Sequence, residues 1–383
     1  MRYLVETTKA GGFDIPAAMQ KLTAEGGPGA ARQALSLLLL TYGSRKLRPE
    51  EYYTYALWRS DRRRGFLNDF MPNRRTREFN DSLKMPARGL ADDVINDKIA
   101  TEAILAARGL PVTRTRAAYL GSSGTASGVP GLRVLQSPAD IGEFLSDPGN
   151  LPIFGKPRAD SFARGAVVID GPAGAGSVRF MDGRTVPVTA LANEIARDWA
   201  TGYLFQPFYQ CAASLRNHTG PAMASVRIVT LWTDQGIEPW YGVIRLPAKA
   251  AMHDGDALDQ RIWGLIDTAT GAITKLRDLR DSEMPDLTHG HDATTPFLGV
   301  RLPDWQRSVE ICQAAHESFP GHGIIGWDIF LTDEGPLLNE ANVNPGHVYQ
   351  VAAQLPLLNP GMRPAYNRAV AFARKHGGGA GAF

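Results

Sequence analysis

The sequence predicts a mixed α+β chain with a helical N-terminal region, on three observations. Residues 1 to about 95 carry aromatic and apolar residues at helical spacing. From about 112 to 205, short apolar runs ended by Pro or Gly alternate with helical patterns, which describes a small α/β module. Beyond it, alternating runs joined by tight turns describe a larger, mainly antiparallel module.

The N-terminal reading rests on "PEEYYTYALWRSDRRRGFLNDF", where Tyr52, Tyr55, Ala56, Trp58, Phe66 and Phe70 fall at helical spacing. Ahead of it, "ALSLLLL" (Ala34 to Leu40) reads as a buried helix. It is well short of the roughly 20 residues a membrane span needs. It also begins too deep, and without a small-residue cleavage site, to be a signal peptide. Arg62, Arg63, Arg64, Arg74, Arg75 and Arg77 read as a solvated face or local ion pairs. A site for an anionic substrate or for tRNA is the sharper alternative.

The next stretch is "NDKIATEAILAARGLPVTRT". Asn96 or Asp97 caps a helix that runs to Arg108; Gly109 ends it and Pro111 prevents its resumption. A strand is expected near Val112, a loop over 121–131 and a short helix in "ADIGEFLSDP". "LPIFGKP" reads as a buried strand with Lys156 at its end. "AVVID" is a strand, "GPAGAGSVRFMDGRTVPV" hairpins, "LANEIARDW" a helix, and "YLFQPFYQ" a strand stopped by Pro207. "SVRIVTLWTDQGIEPWYGVIRLP" alternates as an antiparallel pair. Residues 304 to 319 form an amphipathic helix capped by Asp304. The chain closes on a helix-prone tail and "GGGAGAF", expected to be disordered.

Net charge is +2, which excludes a general nucleic-acid binder or an acidic solvating protein. Cys211 and Cys312 match no metal spacing and no disulfide framework. Two buried thiols in a cytoplasmic, reducing setting is the expectation.

The chemistry concentrates in "GWDIFLTDEGPLLNEANVNPGH". Centring the turn on Glu334 pairs Asp328 with Glu340 and Gly326 with Asn342. Both carboxylates and the Asn342 amide then share one face. Like charges directly opposite need a shared proton or a cation. Two carboxylates and an amide oxygen suit Mg²⁺ or Mn²⁺. A proton-sharing carboxylate pair and an exposed polar hairpin stand as the alternatives. Lys156 and the loop "RADSFARGA" after it add a phosphate-binding signal. Ser161, Arg164, Gly165 and Ala166 are the expected contacts, and the glycine-richer "GPAGAG" is a second candidate loop. No GxxxxGK[ST] occurs.

In that order, lysine, loop and acidic hairpin resemble an ATP-grasp protein. An Asp, then Glu-x-Asn, then Pro-Gly is similar to the metal-binding pattern of the superfamily, which includes the D-alanine–D-alanine ligases. More narrowly, "NDKIATEAILAARGLPV", "SVRIVT", "VIRLP", "IDTATGAI" and "GWDIFL…LLNEANVNPG" resemble the sugar-transfer-associated ATP-grasp, carboxylate–amine ligase-like group, over roughly residues 50 to 350.

The resemblance implies two α/β subdomains holding ATP between them. It divides the chain into a helical region (1–95), a small lid-bearing subdomain (96–205), a large subdomain with the Mg²⁺ site (206–375) and a disordered tail (376–383). It implies that Lys98 and Lys156 contact the ATP phosphates and that the loop from Ser161 to Ala166 closes over them. Gln206, Pro207 and Phe208 would sit at the adenine-binding hinge. Asp328, Glu340 and Asn342 would hold Mg²⁺, and Arg227 would face the transferred phosphoryl group. Arg245, His253, Asn344 and Gly346 are the implied substrate contacts, and His347 or His253 would take a proton. "AAMHDGDALDQRIWG" and "THGHDATTPFLG" depart from the group's usual sequence and are expected to shape the substrate pocket. His289, His291 and Asp292 read as a polar loop, with a second metal site as the alternative.

The implied activity is ATP-dependent joining of a small-molecule carboxylate and an amine through an acyl phosphate, in specialised or cell-surface metabolism. The alternatives are phosphoryl transfer to a hydroxyl and a non-catalytic nucleotide-binding scaffold. No nucleic-acid partner and no membrane span are expected, and a homodimer is compatible with the resemblance.

Overall fold

The computed structural model describes residues 2–4, 13–43, 46–121, 129, 131–158, 165–174, 176–247, 252, 262–279 and 286–379. Helices α1 (Ile15–Ala24), α2 (Ala30–Tyr42), α3 (Pro49–Thr54), α4 (Ser60–Asp69), α5 (Thr76–Asp81) and α6 (Asp92–Ile95) make up the N-terminal region. The aromatic residues at helical spacing meet in one core: Tyr52, Tyr55, Phe66 and Phe70 pack with Leu40, Leu47 and Leu57. Tyr55 meets Phe70 edge-on at 4.8 Å, a geometry that adds to simple burial. Arg75 pairs with Glu78 and Arg77 with Asp81, while Arg62 donates to Gln354.

The "ALSLLLL" stretch is helical, but it is not a buried helix. Leu40 faces the core, while Leu35, Leu38 and Leu39 are exposed. The inward face is taken instead by Gln33, Ser36 and Thr41. Gln33 donates to Pro28 O at 2.7 Å and to Thr23 Oγ1 at 3.0 Å, and accepts from the Tyr53 hydroxyl at 3.0 Å. This polar tie between the first helices fixes the rotation of α2 and turns its leucines outward.

Helix α7 (Lys98–Ala107) is capped by Asp97, which accepts from Ile99 N at 3.0 Å. Gly109, at φ +74°, ends it. A seven-stranded sheet follows: β1 (Ala117–Tyr119), β2 (Arg133–Leu135), β3 (Ile153–Pro157), β4 (Val167–Pro172), β5 (Ser177–Phe180), β6 (Thr185–Pro187) and β7 (Tyr203–Pro207), in spatial order β2-β1-β7-β3-β4-β5-β6. Helices α8 (Pro138–Ser146) and α9 (Val188–Asp198) cover one face, packing Ile141, Phe144, Leu191 and Ile195 on Ile153, Tyr203 and Phe205. The other face turns Ala118 and Leu204 toward Ile99 of α7. The strand expected near Val112 begins later, at Ala117. Val112 instead bridges in parallel to Leu338 of the second sheet. The division expected at 205/206 falls inside β7.

Helix α10 (Ala213–Thr219) leads into the second sheet: β8 (Ser225–Thr233), β9 (Gly236–Leu246), β10 (Ile262–Ile266), β11 (Ile273–Asp278), β12 (Ile324–Thr332) and β13 (Gly335–Asn342). Its order is β11-β10-β9-β8-β12-β13, antiparallel throughout. Helix α11 (Trp305–His316) covers one face, setting Val309 and Cys312 in a core with Val226, Ile228 and Trp327. Asp304 precedes α11 in a left-handed conformation, and its side chain makes no capping bond.

The opposite face packs against α12 (Val348–Ala353), α13 (Arg363–Lys375) and the N-terminal region. Phe79 of α5 stacks on Tyr366 at 4.8 Å and on Trp240 at 6.1 Å. Both cysteines are buried and free. Of the expected tail, residues 376–379 follow α13 and dock on the N-terminal region, with His376 O accepting from Ala87 N at 3.1 Å. Residues 380–383 lie outside the described residues.

Candidate active site

The second sheet carries a row of charged side chains on one face. Asp328 on β12 lies opposite Glu340 on β13 and opposite Arg227 on β8. On β9, Arg245 is two residues beyond Val243, the partner of Arg227. All four therefore share a face, because strand side chains repeat every second residue. The intervening Val226, Ile228, Trp327 and Ala341 point into the core under α11.

A β-bulge creates this arrangement. Asp333 and Glu334 form a two-residue turn, so Thr332 pairs with Gly335 and the register runs unbroken to Ile329–Leu338. It then slips by one, pairing Asp328 with Glu340 and leaving Asn339 as the extra residue. The pairs expected from the sequence, Asp328–Glu340 and Gly326–Asn342, are both observed. The turn, however, sits half a residue earlier than Glu334, and the bulge makes up the difference. In an unbroken register Glu340 would stand opposite Trp327 and point into the core.

Asp328 is held on both oxygens. Arg227 donates through Nε and NH2, each at 2.7 Å, and Arg245 adds a bond at 3.2 Å. Burial would raise the Asp328 carboxyl, but the two guanidinium groups outweigh it and hold it below the usual carboxylate range. Burial likewise opposes the charge of Arg227, and Asp328 more than restores it. Arg227 also donates to Pro345 O at 3.0 Å. Pro345 rests on Gly326, where an added Cβ would lie 2.5 Å from the Pro345 Cβ. Only glycine allows the Pro345–Gly346 turn to come this close to β12.

Facing the row are two lysines. Lys98, in the first turn of α7, lies 3.5 Å from Glu340 and donates to Arg158 O at 3.3 Å. Lys156 of β3 is buried and donates to Asn339 Oδ1 at 3.0 Å. Burial pushes its ammonium down to about 8; Glu340 opposes the shift and Lys98 adds to it. Between the sheets lies a cavity of about 250 Å³, lined among others by Lys98, Glu102, Gln206, Asn339, Glu340 and Asn342. Gln206 is buried and donates to the hydroxyls of Thr113 and Thr115 at 3.3 Å; Pro207 and Phe208 are half-buried at the end of β7.

Other expected residues sit elsewhere. Gly165 has φ +70°, and a Cβ there would meet Trp199 at 2.2 Å. Its carbonyl accepts from the Tyr203 hydroxyl at 2.7 Å, and Ala166 is buried. These contacts tie Gly165 and Ala166 to the first sheet. Ser161, Arg164 and His253 lie outside the described residues. Asn344 lines the cavity and accepts from the Asn80 amide of α5. Gly346, at φ +69°, accepts from Tyr241 through its carbonyl at 2.9 Å.

His347 does not suit the proton-accepting role expected of it. It is buried edge-on against Phe79 at 5.5 Å, and burial pushes its ring down to about 3. The second metal site around His289, His291 and Asp292 does not form either. His291 bonds to Pro247 O, Asp292 accepts from Thr294 N at 2.8 Å, and no cluster of three or more His, Cys, Asp or Glu suited to a metal occurs among the described residues.

Glu102, Asn339 and Asn80 were not singled out from sequence. Glu102 accepts from Thr115 N at 2.9 Å and from its hydroxyl at 2.5 Å; burial nonetheless raises its carboxyl. Its place as the fifth residue of a strongly apolar helix was the available signal. Asn339 is visible only once the bulge is known.

The donors fit a hard divalent cation. Among the described residues Asp328 Oδ1 accepts from Arg227 alone, which leaves it a lone pair. Glu340 and Asn342 line the cavity, and the Asn342 N–H contacts are long, 3.4 and 3.5 Å, so its amide is loosely held. Asp328, Glu340 and Asn342 would hold Mg²⁺ between the row and the lysines.

Residues 198–361 match the Sugar-transfer associated ATP-grasp family. The match covers the second sheet and the whole charged row, and the first sheet supplies the facing Lys156. No curated protein matches the sequence. Among solved structures, the chain is similar to the N5-carboxyaminoimidazole synthase of Aspergillus clavatus (13% identity over 69% of this chain and 52% of that one, TM-score 0.36). It is also similar to the D-alanine–D-alanine ligase of Coxiella burnetii (14%, 74% and 58%, TM-score 0.39). A third is the D-Ala:D-Ser ligase of Enterococcus faecalis (12%, 75% and 63%, TM-score 0.42). The chain thus spans less than two thirds of the length of each.

Proposed function

We propose that this chain is an ATP-dependent ligase that joins a carboxylate to an amine and releases ADP and phosphate. The observation that carries the reading is the row Glu340–Asp328–Arg227–Arg245 with Lys98 3.5 Å from Glu340 and Lys156 bonded to Asn339, beside the cavity that Lys98, Asn339 and Glu340 line. Its four cations outnumber its two acids, so it favours a polyanion. The acids supply hard oxygens for the Mg²⁺ that accompanies nucleotide phosphates.

In this reading Lys98 and Lys156 hold the ATP phosphates. Arg227, fixed by Asp328, offers a preset positive charge to the phosphoryl group in transit. A carboxylate oxygen of the substrate bonds to the γ-phosphorus as the bond to the β–γ bridging oxygen breaks, giving an acyl phosphate and ADP. The amine nitrogen then bonds to the acyl carbon, and phosphate leaves. Bound Mg²⁺ supplies charge neutralisation on the phosphates. With His347 buried and neutral, the amine must arrive unprotonated or lose its proton to water or phosphate.

The test is ADP release with Mg·ATP across a panel of carboxylic acids, with hydroxylamine present. An acyl phosphate is trapped as a hydroxamate, in step with ADP. ADP release that depends on an alcohol, with no hydroxamate from any acid, would replace the ligase with a phosphotransferase.

A further inference from the structure

Helix α2 turns its more apolar face to solvent. Leu35, Leu38, Leu39 and Tyr42 recur at i, i+3, i+4 and i+7 and make a single stripe. They are 58, 56, 57 and 82% exposed. Ala31 and Ala34 lie beside them, also exposed, while Gln33, Ser36 and Thr41 are buried beneath. A scattered exposed leucine needs no explanation. A contiguous stripe over a polar inward face is a surface arranged to meet something apolar.

Helix α2 carries Arg32 and no acid, and exposed Lys46 follows its C-terminal end. Residues 1–95 hold 16 Lys and Arg against 11 Asp and Glu, whereas the rest of the chain holds 25 against 28. The positive charge thus gathers in the region that bears the stripe.

We propose that α2 seats the protein on an anionic lipid surface. Leu35, Leu38 and Leu39 enter the boundary between headgroups and acyl chains. Tyr42 sits at headgroup level, and Arg32 and Lys46 meet lipid phosphates. The helix lies in the surface and does not cross it: it has 13 residues, and no described helix is long and apolar enough to span a membrane.

A second copy of the chain fits the stripe less well. One helix face about 20 Å long and about 10 Å wide offers roughly 200 Å², against the ~800 Å² per partner of a stable interface. Antiparallel pairing of two α2 helices would also set Arg32 of one beside Lys46 of the other, like charges together. A lipid surface has neither limit, and its charge complements the rim.

The experiment is sedimentation of the full chain with vesicles of phosphatidylglycerol and phosphatidylcholine, against phosphatidylcholine alone. Binding is expected to the anionic vesicles, at least about tenfold weaker to neutral ones, and weakened at about 0.5 M salt, where surface charges are screened. The double change Leu38→Glu and Leu39→Glu should remove it about tenfold or more with an unchanged circular dichroism spectrum. Arg32→Glu should weaken it several-fold. Three results would overturn the proposal: no binding to the anionic vesicles, equal binding by the leucine variant, or a dimer in sedimentation velocity that the leucine variant abolishes.

Discussion

Arg227 takes both carboxylate oxygens of Asp328, directly across the β8–β12 pair, at 2.7 Å each. The pair is almost fully buried, with side chains 11 and 8% exposed. Neither charge has water to fall back on, so each depends on the other.

Asp328→Asn should therefore destabilise the fold as well as the chemistry. Leaving one partner of a buried ion pair uncompensated costs about 3–5 kcal/mol; Pro345 O still accepts from Arg227 and softens the loss, while Arg245, a second cation that also loses Asp328, adds to it. Replacing both together, Arg227→Met with Asp328→Leu, should cost less than the single change, because one cation, Arg245, is left without Asp328 instead of two. Urea unfolding of the three proteins checks the order. The sign with pH follows from Asp328, whose carboxyl is held low. Its stabilisation is full above the unfolded-state pKa and is lost as pH falls through the lower folded value.

Glu340→Gln should behave differently. Glu340 is about one-third exposed, and its ion pair with Lys98 is a loose 3.5 Å. An ion pair with that access to solvent contributes within about 1 kcal/mol, so the melting temperature should barely move. Mg·ATP binding should fall by at least about tenfold if Glu340 supplies a cation ligand. Calorimetric titration with Mg·ATP, set beside thermal unfolding, separates the two effects. Nucleotide affinity equal to that of the wild type would remove Glu340 from the cation site.

Much of this site was legible in local sequence, and what was missed shares a physical cause. Asp328, Glu340 and Asn342 could be aligned because side chains in paired strands repeat every second residue, and the short turn limited the registers. The bulge at Asn339 could not be seen, since it is a tertiary choice that buries Leu338 on one side and brings Asn339 to Lys156 on the other. The rotation of α2 was missed for a related reason. Seven-residue apolar counting favours a buried helix, but the bonds of Gln33 to Thr23, Pro28 and Tyr53 come from neighbouring helices and overrule it. The cap at Asp97 was legible because an N-cap is local; Asp304 failed as a cap because its backbone is left-handed. His347 sits in a polar-looking motif, yet its burial is made by Phe79, 268 positions away in sequence.

Gly326→Ala tests how the Pro345 turn is held. The added Cβ would lie 2.5 Å from the Pro345 Cβ and 3.6 Å from Arg227 Cδ. The approach to Arg227 is an ordinary contact, so it is the proline turn that must move. Overpacking of this kind costs about 1–3 kcal/mol. Since Pro345 O is a partner of Arg227 and Asn344 lines the cavity, turnover should fall further than stability alone explains. Steady-state ADP release at a temperature well below the melting point shows this. A lowered melting temperature with unchanged turnover would mean that the turn only packs.

Lys156 gives a pH dependence with opposite signs for stability and for binding. Burial holds its ammonium at about 8 in the folded protein, against about 10.5 when unfolded. Between those values the unfolded chain binds more protons, so stability rises with pH across the window. Nucleotide binding should do the reverse if Lys156 meets phosphate as a cation. With a pKa of about 8, its charged fraction falls by roughly tenfold from pH 7 to pH 9, and affinity for Mg·ATP should fall by up to about that factor. Lys156→Gln should bind weakly at both pH values and lose both trends. Measured together, a rising unfolding free energy and a falling ATP affinity between pH 8 and 9, both flattened by Lys156→Gln, assign the titration to this lysine. Affinity that is flat from pH 7 to 9 in the wild type would mean that Lys156 takes up no proton on binding, because it is already charged through pH 9 in the free protein or because phosphate never meets it. The variant decides between these, since only in the first case does Lys156→Gln weaken binding.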